Sequence, residues 1–274
     1  MLRLGYSPCP NDTFMFHALV HGLVPGAPPL GVVMEDIEAL NRRVLEPDGE
    51  RLDVTKLSVS AWARVRDSYT VLDAGAALGR GCGPLIVARE PARLGDLATK
   101  RVAVPGLGTT AYALLRMFGP RHEPVPMRFD EVMPAVAGGE VDAGLIIHES
   151  RFTYRTHGLV QVADLGEVWE ADTGLPLPLG VIAMRSSVPA LVREAFEGGL
   201  SASVRHAWKH PDASRSYVDA HAQEMERSVC ERHIELYVNA FSAELGDEGR
   251  AALETFVRRA EQADVLGPSA TANP

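Results

Sequence analysis

Hydrophobic positions along this chain change their spacing often and abruptly. Leu2, Leu4 and Tyr6 alternate with Arg3 and Gly5, the period of two of a strand with one buried face. After two prolines the spacing becomes helical. Phe14 with Ala18, and Met15 with Leu19, share faces, and Asn11 or Asp12 stands where an N-cap belongs. The intervening "SPCPND" (7–12) reads as a stiff turn from a strand into a helix. In open α/β sheets ligands bind at such turns, because a helix N-terminus presents free N–H groups there.

The alternation of elements continues through the first two thirds. "LGVVM" (30–34) predicts a strand, and Ile37, Leu40 and Val44 a helix face. "LDVTKLS" (52–58) predicts a strand entering the helix "SAWARVRDS". Strands at 69–75 and 83–89 flank the glycine-rich "AALGRGCG". "RVAVPG" (101–106) is an apolar strand, "GLGTT" a turn and "TAYALLRMF" a helix. "EPVPMRF" (123–129) leads to a helix with Asp130 as its N-cap, and "VDAGLIIHES" (141–150) is an apolar strand ending in polar groups. From Val188 the texture is helical, and the tail "GPSATANP" (267–274) reads as frayed.

Alternating β and α followed by a helical third predicts an α/β fold with parallel-rich sheets. The block between the strands near 84–89 and 179–184 carries strands of its own. It reads as a second lobe, residues 90–179, inserted into a first lobe of 1–89 plus 180–274, with a ligand cleft between them.

Composition narrows the function. Of 274 residues, 46% are hydrophobic and 23% charged, ordinary for a globular core. Lysine and arginine total 27 against 36 acidic residues, for a net charge of −9. That balance argues against nucleic acid or an anionic membrane as partner, while a local basic pocket for a small carboxylate remains open. Cys9, Cys82 and Cys230 lie far apart with no CxxC pair, which suits reduced thiols in the cytoplasm. Met1 leads directly into strand pattern, with no export signal or membrane-spanning run to be read.

Several stretches carry candidate chemistry. Cys9 sits at a helix start, which can activate a thiol; packing between two prolines is the plainer reading. "GLGTTA" (106–111) follows a strand and opens a helix, placing Thr109 and Thr110 hydroxyls beside free N–H groups suited to a carboxylate. It lacks the GK[ST] of a nucleotide loop. His148 ends an apolar strand, where a neutral imidazole makes a general base. His17 with His21, and His206 with His210, have the i,i+4 spacing of zinc ligands but no visible third donor. Lys56 and Ser58 close another strand.

Taken in order, "SPCPNDTF", "TKLS", "GRGCGPL", "GTTAYALL", "GLIIHESRFTY", "TGLPLPLG" and "YVNAFS" resemble the 1,4-dihydroxy-6-naphthoate synthase family of the futalosine route to menaquinone. The likeness runs over nearly the whole chain, and "SPCPNDTF" and "IIHESRFTY" are rare combinations. "EPDGERLD" is longer than the family's usual turn before the lysine, and touches no motif. The resemblance implies a two-lobed fold like that of type 2 periplasmic solute-binding proteins. It implies a small-molecule substrate, cyclic dehypoxanthine futalosine, with no metal or organic cofactor. Its proton acceptor corresponds to His148, and its substrate contacts to Lys56, Leu57, Ser58, Thr110 and Ala111. Position alone adds Thr109, Ser7, Asn11 and Thr13 as polar groups near the ligand. The competing readings are chorismate dehydratase of the same pathway and a solute-binding protein without catalysis.

Overall fold

Two mixed sheets organise the chain, which a computed structural model describes at residues 1–222 and 226–267. The tail "GPSATANP" lies outside these residues apart from Gly267. The chain first lays down β1 (Leu2–Tyr6), α1 (Pro10–Val20), β2 (Leu30–Met34), α2 (Ile37–Leu45), β3 (Val54–Ser58), α3 (Val59–Val65), β4 (Tyr69–Val71) and β5 (Ala77–Gly79). It continues with β6 (Leu85–Ala88), β7 (Arg101–Val104), α4 (Thr110–Phe118), β8 (Glu123–Pro126), α5 (Val132–Ala137), β9 (Ala143–Ile146), α6 (Ser150–Thr153), β10 (Val160–Asp164) and α7 (Leu165–Thr173). The long β11 (Leu177–Arg185) precedes α8 (Ala190–Lys209), α9 (Arg215–His221), α10 (Arg227–Tyr237), α11 (Ala240–Ala243) and α12 (Gly246–Gln262).

The first sheet has the order β2-β1-β3-β11-β4, with β5 also pairing β11; the second has the order β10-β6-β9-β7-β8. Neither sheet is as parallel as the alternation predicts. β11 runs antiparallel to β3, β4 and β5, and β6 runs antiparallel to β9 and β10. These are the strands that carry the chain between sheets, and each enters against the direction of its neighbours.

The expected lobe boundaries shift for the same reason. The pattern places the strand at 84–89 in the first lobe, yet Val87 pairs with Gly144 and Ala88 with Val160 in the second sheet. The chain therefore crosses before β6, and it returns before β11 rather than at 179.

Burial follows position in the sheet. β1 lies between β2 and β3, so Leu4, Gly5 and Tyr6 are all buried and the predicted alternation is lost. Every residue from Pro10 to Leu19 is buried because α1 is surrounded by α8, α9 and α10. One apolar core lies here, with Leu4, Phe16 and Met15 against Phe196 and Leu200. A smaller one packs Val132 and Val136 of α5 on Ile146. A third joins both sheets, running from Leu78 and Val181 through Val104, Leu114 and Leu145 to Trp169 and Phe256.

At the first crossing two glycines press their backbones together. A Cβ on Gly83 would overlap the backbone of Gly166 and stand 2.8 Å from Asp164 Oδ1. Arg151 locks the crossing by donating to the Gly83 carbonyl at 2.6 Å and to Asp164 at 2.7 Å. Gly83→Ala should therefore destabilise the protein by about 1–3 kcal/mol. Thermal melting should fall by about 2–4 °C per kcal/mol, and an unchanged melt would show that the crossing yields freely.

Candidate active site

The first wall of the cleft is built at the start of α1. Pro10 occupies the first helical position, where its missing N–H costs nothing. Cys9 is the N-cap residue and makes no side-chain capping bond, so Asn11 and Asp12 fall inside the first turn rather than capping it. Asp12 is fully buried there and gathers donors. Ser7 gives its N–H at 3.1 Å and its hydroxyl at 2.6 Å, and Asn11 Nδ2 donates at 2.9 Å. Lys56 Nζ reaches both carboxylate oxygens, at 2.5 and 2.6 Å. A buried carboxylate needs such a counter-ion and a helix N-terminus that favours negative charge.

Strand alternation then sorts β3. Lys56 and Ser58 face the cleft, while Leu57 points to the other side and packs with Val44, Val65 and Tyr69. Ser58 Oγ accepts from Asn41 Nδ2 at 2.9 Å, so its own proton stays available to the cleft.

The opposite wall comes from the second sheet. Thr109 caps α4, accepting from the Tyr112 N–H at 3.2 Å, and its hydroxyl donates to the Gly106 carbonyl at 2.8 Å. The Thr110 hydroxyl donates to the Leu179 carbonyl at 2.7 Å. Both hydroxyl protons are thus committed inside the protein. What α4 can offer a ligand is its first-turn N–H groups, at Thr110 and Ala111.

His148 follows β9 with φ 58°, a left-handed conformation unusual for a residue with a side chain. The edge of Phe129 meets its ring at 5.1 Å between centres, and Cys9 Sγ lies 3.5 Å from its Nδ1. Burial, and then the Lys56 charge, push the imidazole down to about 3, so it is neutral at ordinary pH.

These groups surround one cleft, lined from both sheets. Its lining includes His148, Lys56, Ser58, Thr109, Thr110, Ala111 and Asn11 from the expected set. Three expected contacts differ. Leu57 is turned into the core by alternation, Ser7 is fully buried with its hydroxyl spent on Asp12, and Thr13 is fully buried with its hydroxyl donating to the Cys9 and Pro10 carbonyls. Sequence reasoning passed over Asp12 as a ligand of Lys56, and it passed over His233 and Tyr237, which line the cleft from α10.

A nitrogen of His148, Cys9 Sγ and a Glu149 oxygen lie within 4.8 Å of one another, the nearest approach to a metal cluster among the described residues. The set fits a cation poorly. It offers three donors, the Lys56 ammonium already bears on the same groups, and burial followed by the Glu149 charge pushes the Cys9 thiol well up. The protonated thiol is equally unsuited to nucleophilic attack. The histidine pairs lie ring against tilted ring on their own helices, at 4.5 Å for His17 with His21 and 4.8 Å for His206 with His210. Neither pair gathers a third donor among the described residues.

Two α/β lobes with a polar cleft between their sheets define the periplasmic-binding-protein fold. The alkanesulfonate-binding protein of Xanthomonas axonopodis shares it, at a TM-score of 0.70 and 16% identity over 99% of this chain and 95% of that one. Residues 2–262 match the menaquinone biosynthesis family, and the chain belongs to it. A relative from Thermus thermophilus named 1,4-dihydroxy-6-naphthoate synthase is 52% identical over 98% of this chain and 97% of its own. One of the same name from Streptomyces coelicolor is 50% identical over 100% and 98%. A crystal structure of an Archaeoglobus fulgidus protein superposes at a TM-score of 0.91 with 37% identity, over 96% of this chain and 98% of that one.

The depressed imidazole sets a dependence on pH. On unfolding, His148 regains its ordinary value of 6.5 from about 3. Between those values the unfolded chain binds a proton that the folded chain refuses, so stability falls as pH drops below 6.5 and this group is silent above it. Proton uptake on unfolding at about pH 5 should be lower by about one proton in His148→Gln than in wild type. Equal uptake would mean that His148 titrates normally in the fold.

Proposed function

We propose that this protein is a carbon–carbon lyase of the cytoplasm that converts cyclic dehypoxanthine futalosine to 1,4-dihydroxy-6-naphthoate, with His148 as the base. The observation that carries the reading is a neutral imidazole held at a strand's end in a cleft that it shares with the Lys56 ammonium. The names of the relatives and the menaquinone biosynthesis family support the product of this reading. Three scattered cysteines suit a reducing compartment, and among the described residues no helix is long and apolar enough to cross a membrane.

The Ser58 hydroxyl and the N–H groups of Thr110 and Ala111 bind the substrate carboxylate. Lys56 bears on the carbonyl, whose pull acidifies the neighbouring C–H. His148 takes that proton, the electron pair enters an enolate, and the ring C–O bond of the sugar breaks as its oxygen gains a proton. Loss of a hydroxyl proton then breaks the carbon–carbon bond, releasing the sugar-derived fragment as a carbonyl compound and leaving an aromatic bicycle. Every electron pair stays within the substrate, so no oxidant or reductant enters. Neutral His148 is free to accept at pH 7, and the enolate formed beside it stabilises the resulting imidazolium in a cleft poor in water.

Purified protein given cyclic dehypoxanthine futalosine should form the naphthoate, followed by chromatography and mass. His148→Asn should lose about 10²–10⁴-fold in kcat while still binding substrate. Undiminished turnover in that variant removes His148 from the mechanism. No product from folded wild type overturns the substrate, and chorismate, supplied in a parallel incubation, then separates a dehydratase from a protein that only binds.

Ser58→Ala should raise KM roughly 10-fold or more and leave kcat nearly unchanged, the loss of one hydrogen bond to a charged group. An unaltered KM would place the carboxylate elsewhere.

A further inference from the structure

Beside His148 stands a second imidazole that the mechanism above leaves unused. His233 of α10 is buried, lines the cleft, and has its ring centre 6.2 Å from that of His148.

Its proton is assigned by a chain of hydrogen bonds that begins at the ion pair. Lys56 and Ser7 both donate to Asp12, which acts as acceptor throughout. Asn11 therefore turns its amide nitrogen toward Asp12 Oδ1, at 2.9 Å, and presents its oxygen to His233 Nε2, also at 2.9 Å. A carbonyl oxygen only accepts, so Nε2 carries the proton and Nδ1 carries a lone pair.

That lone pair is buried without a hydrogen-bond partner, and Glu149 Oε2 stands 3.9 Å away. A buried acceptor left unsatisfied is costly and asks for a reason. Burial first, and then the nearness of His148 and the Lys56 ammonium, keep the ring neutral. A proton arriving at Nδ1 changes the arrangement into an imidazolium with a carboxylate beside it and an amide oxygen behind it.

We propose that His233 is a second proton acceptor of the reaction, taking at Nδ1 the hydroxyl proton released as the carbon–carbon bond breaks, while His148 takes the carbon-bound one. The inference rests on the lyase reading given above. In this step the O–H pair becomes the new C=O of the departing fragment, and the C–C pair enters the bicycle as it turns aromatic. The proton waits on His233 against Glu149 until the phenolate oxygen of the product takes it back. Two bases match two protons that leave different atoms at different stages.

His233→Gln keeps an N–H for Asn11 and replaces the basic Nδ1 with an amide oxygen that does not take up a proton. Its kcat should fall about 10²-fold or more, with KM within about three-fold of wild type. A ring-opened isomer should accumulate, equal in mass to the substrate but separable by chromatography. His148→Asn should accumulate none, being blocked one step earlier. A purely structural role would lower the melting temperature and raise KM without building up the isomer. A folded variant with kcat near wild type overturns the proposal. The ¹⁵N shifts of His233 in the wild-type protein, read without substrate, should show Nε2 protonated and Nδ1 bare. The opposite tautomer sinks the inference even if wild type turns over, whereas failure of wild-type turnover counts against the substrate alone.

Discussion

Asp12 carries a carboxylate into the first turn of α1 with no exposure to solvent, and Lys56 neutralises it from β3. Either charge left alone there would cost several kcal/mol, while the pair together adds little net stability. Its consequence is orientation. With Lys56 and Ser7 donating, Asp12 dictates how the Asn11 amide lies, and Asn11 in turn dictates which His233 nitrogen holds the proton. A single buried ion pair thus sets the hydrogen-bond sense of one whole wall, and its Lys56 charge adds to the burial that keeps His148 neutral.

The other wall answers from a different sheet. His148 comes from the end of β9, and Thr110 and Ala111 from the start of α4, which follows β7. The cleft lining forms because two sheets face each other: Lys56 and Ser58 come from the first, His148, Thr110 and Ala111 from the second, and neither sheet holds the set by itself. The left-handed backbone at His148 belongs to this arrangement, since it turns an apolar strand abruptly into a polar edge.

Much of this was legible in the residues. Periodicity located the strands and helices, because alternation and helical spacing are local properties. The rare blocks around Cys9 and His148 carried the family and most of the cleft. Sheet partners were not legible: β6 lies next in sequence to first-sheet strands and pairs instead with β9 and β10, a choice made by contacts far along the chain. Asp12 was hidden by looking like an N-cap. His233 was hidden more deeply, as a lone histidine in a polar helix whose partner Asn11 is 222 positions away. Leu57 shows the converse, a motif residue whose side chain the strand's own alternation turns from the ligand.

The core that passes from Leu78 and Val181 through Leu114 and Leu145 to Phe256 belongs to both lobes at once. Jaws that swing need a thin, yielding hinge; here the hinge region is itself packed interior, where interdigitated side chains resist sliding. With one interior shared between them, the lobes should stand or unfold together.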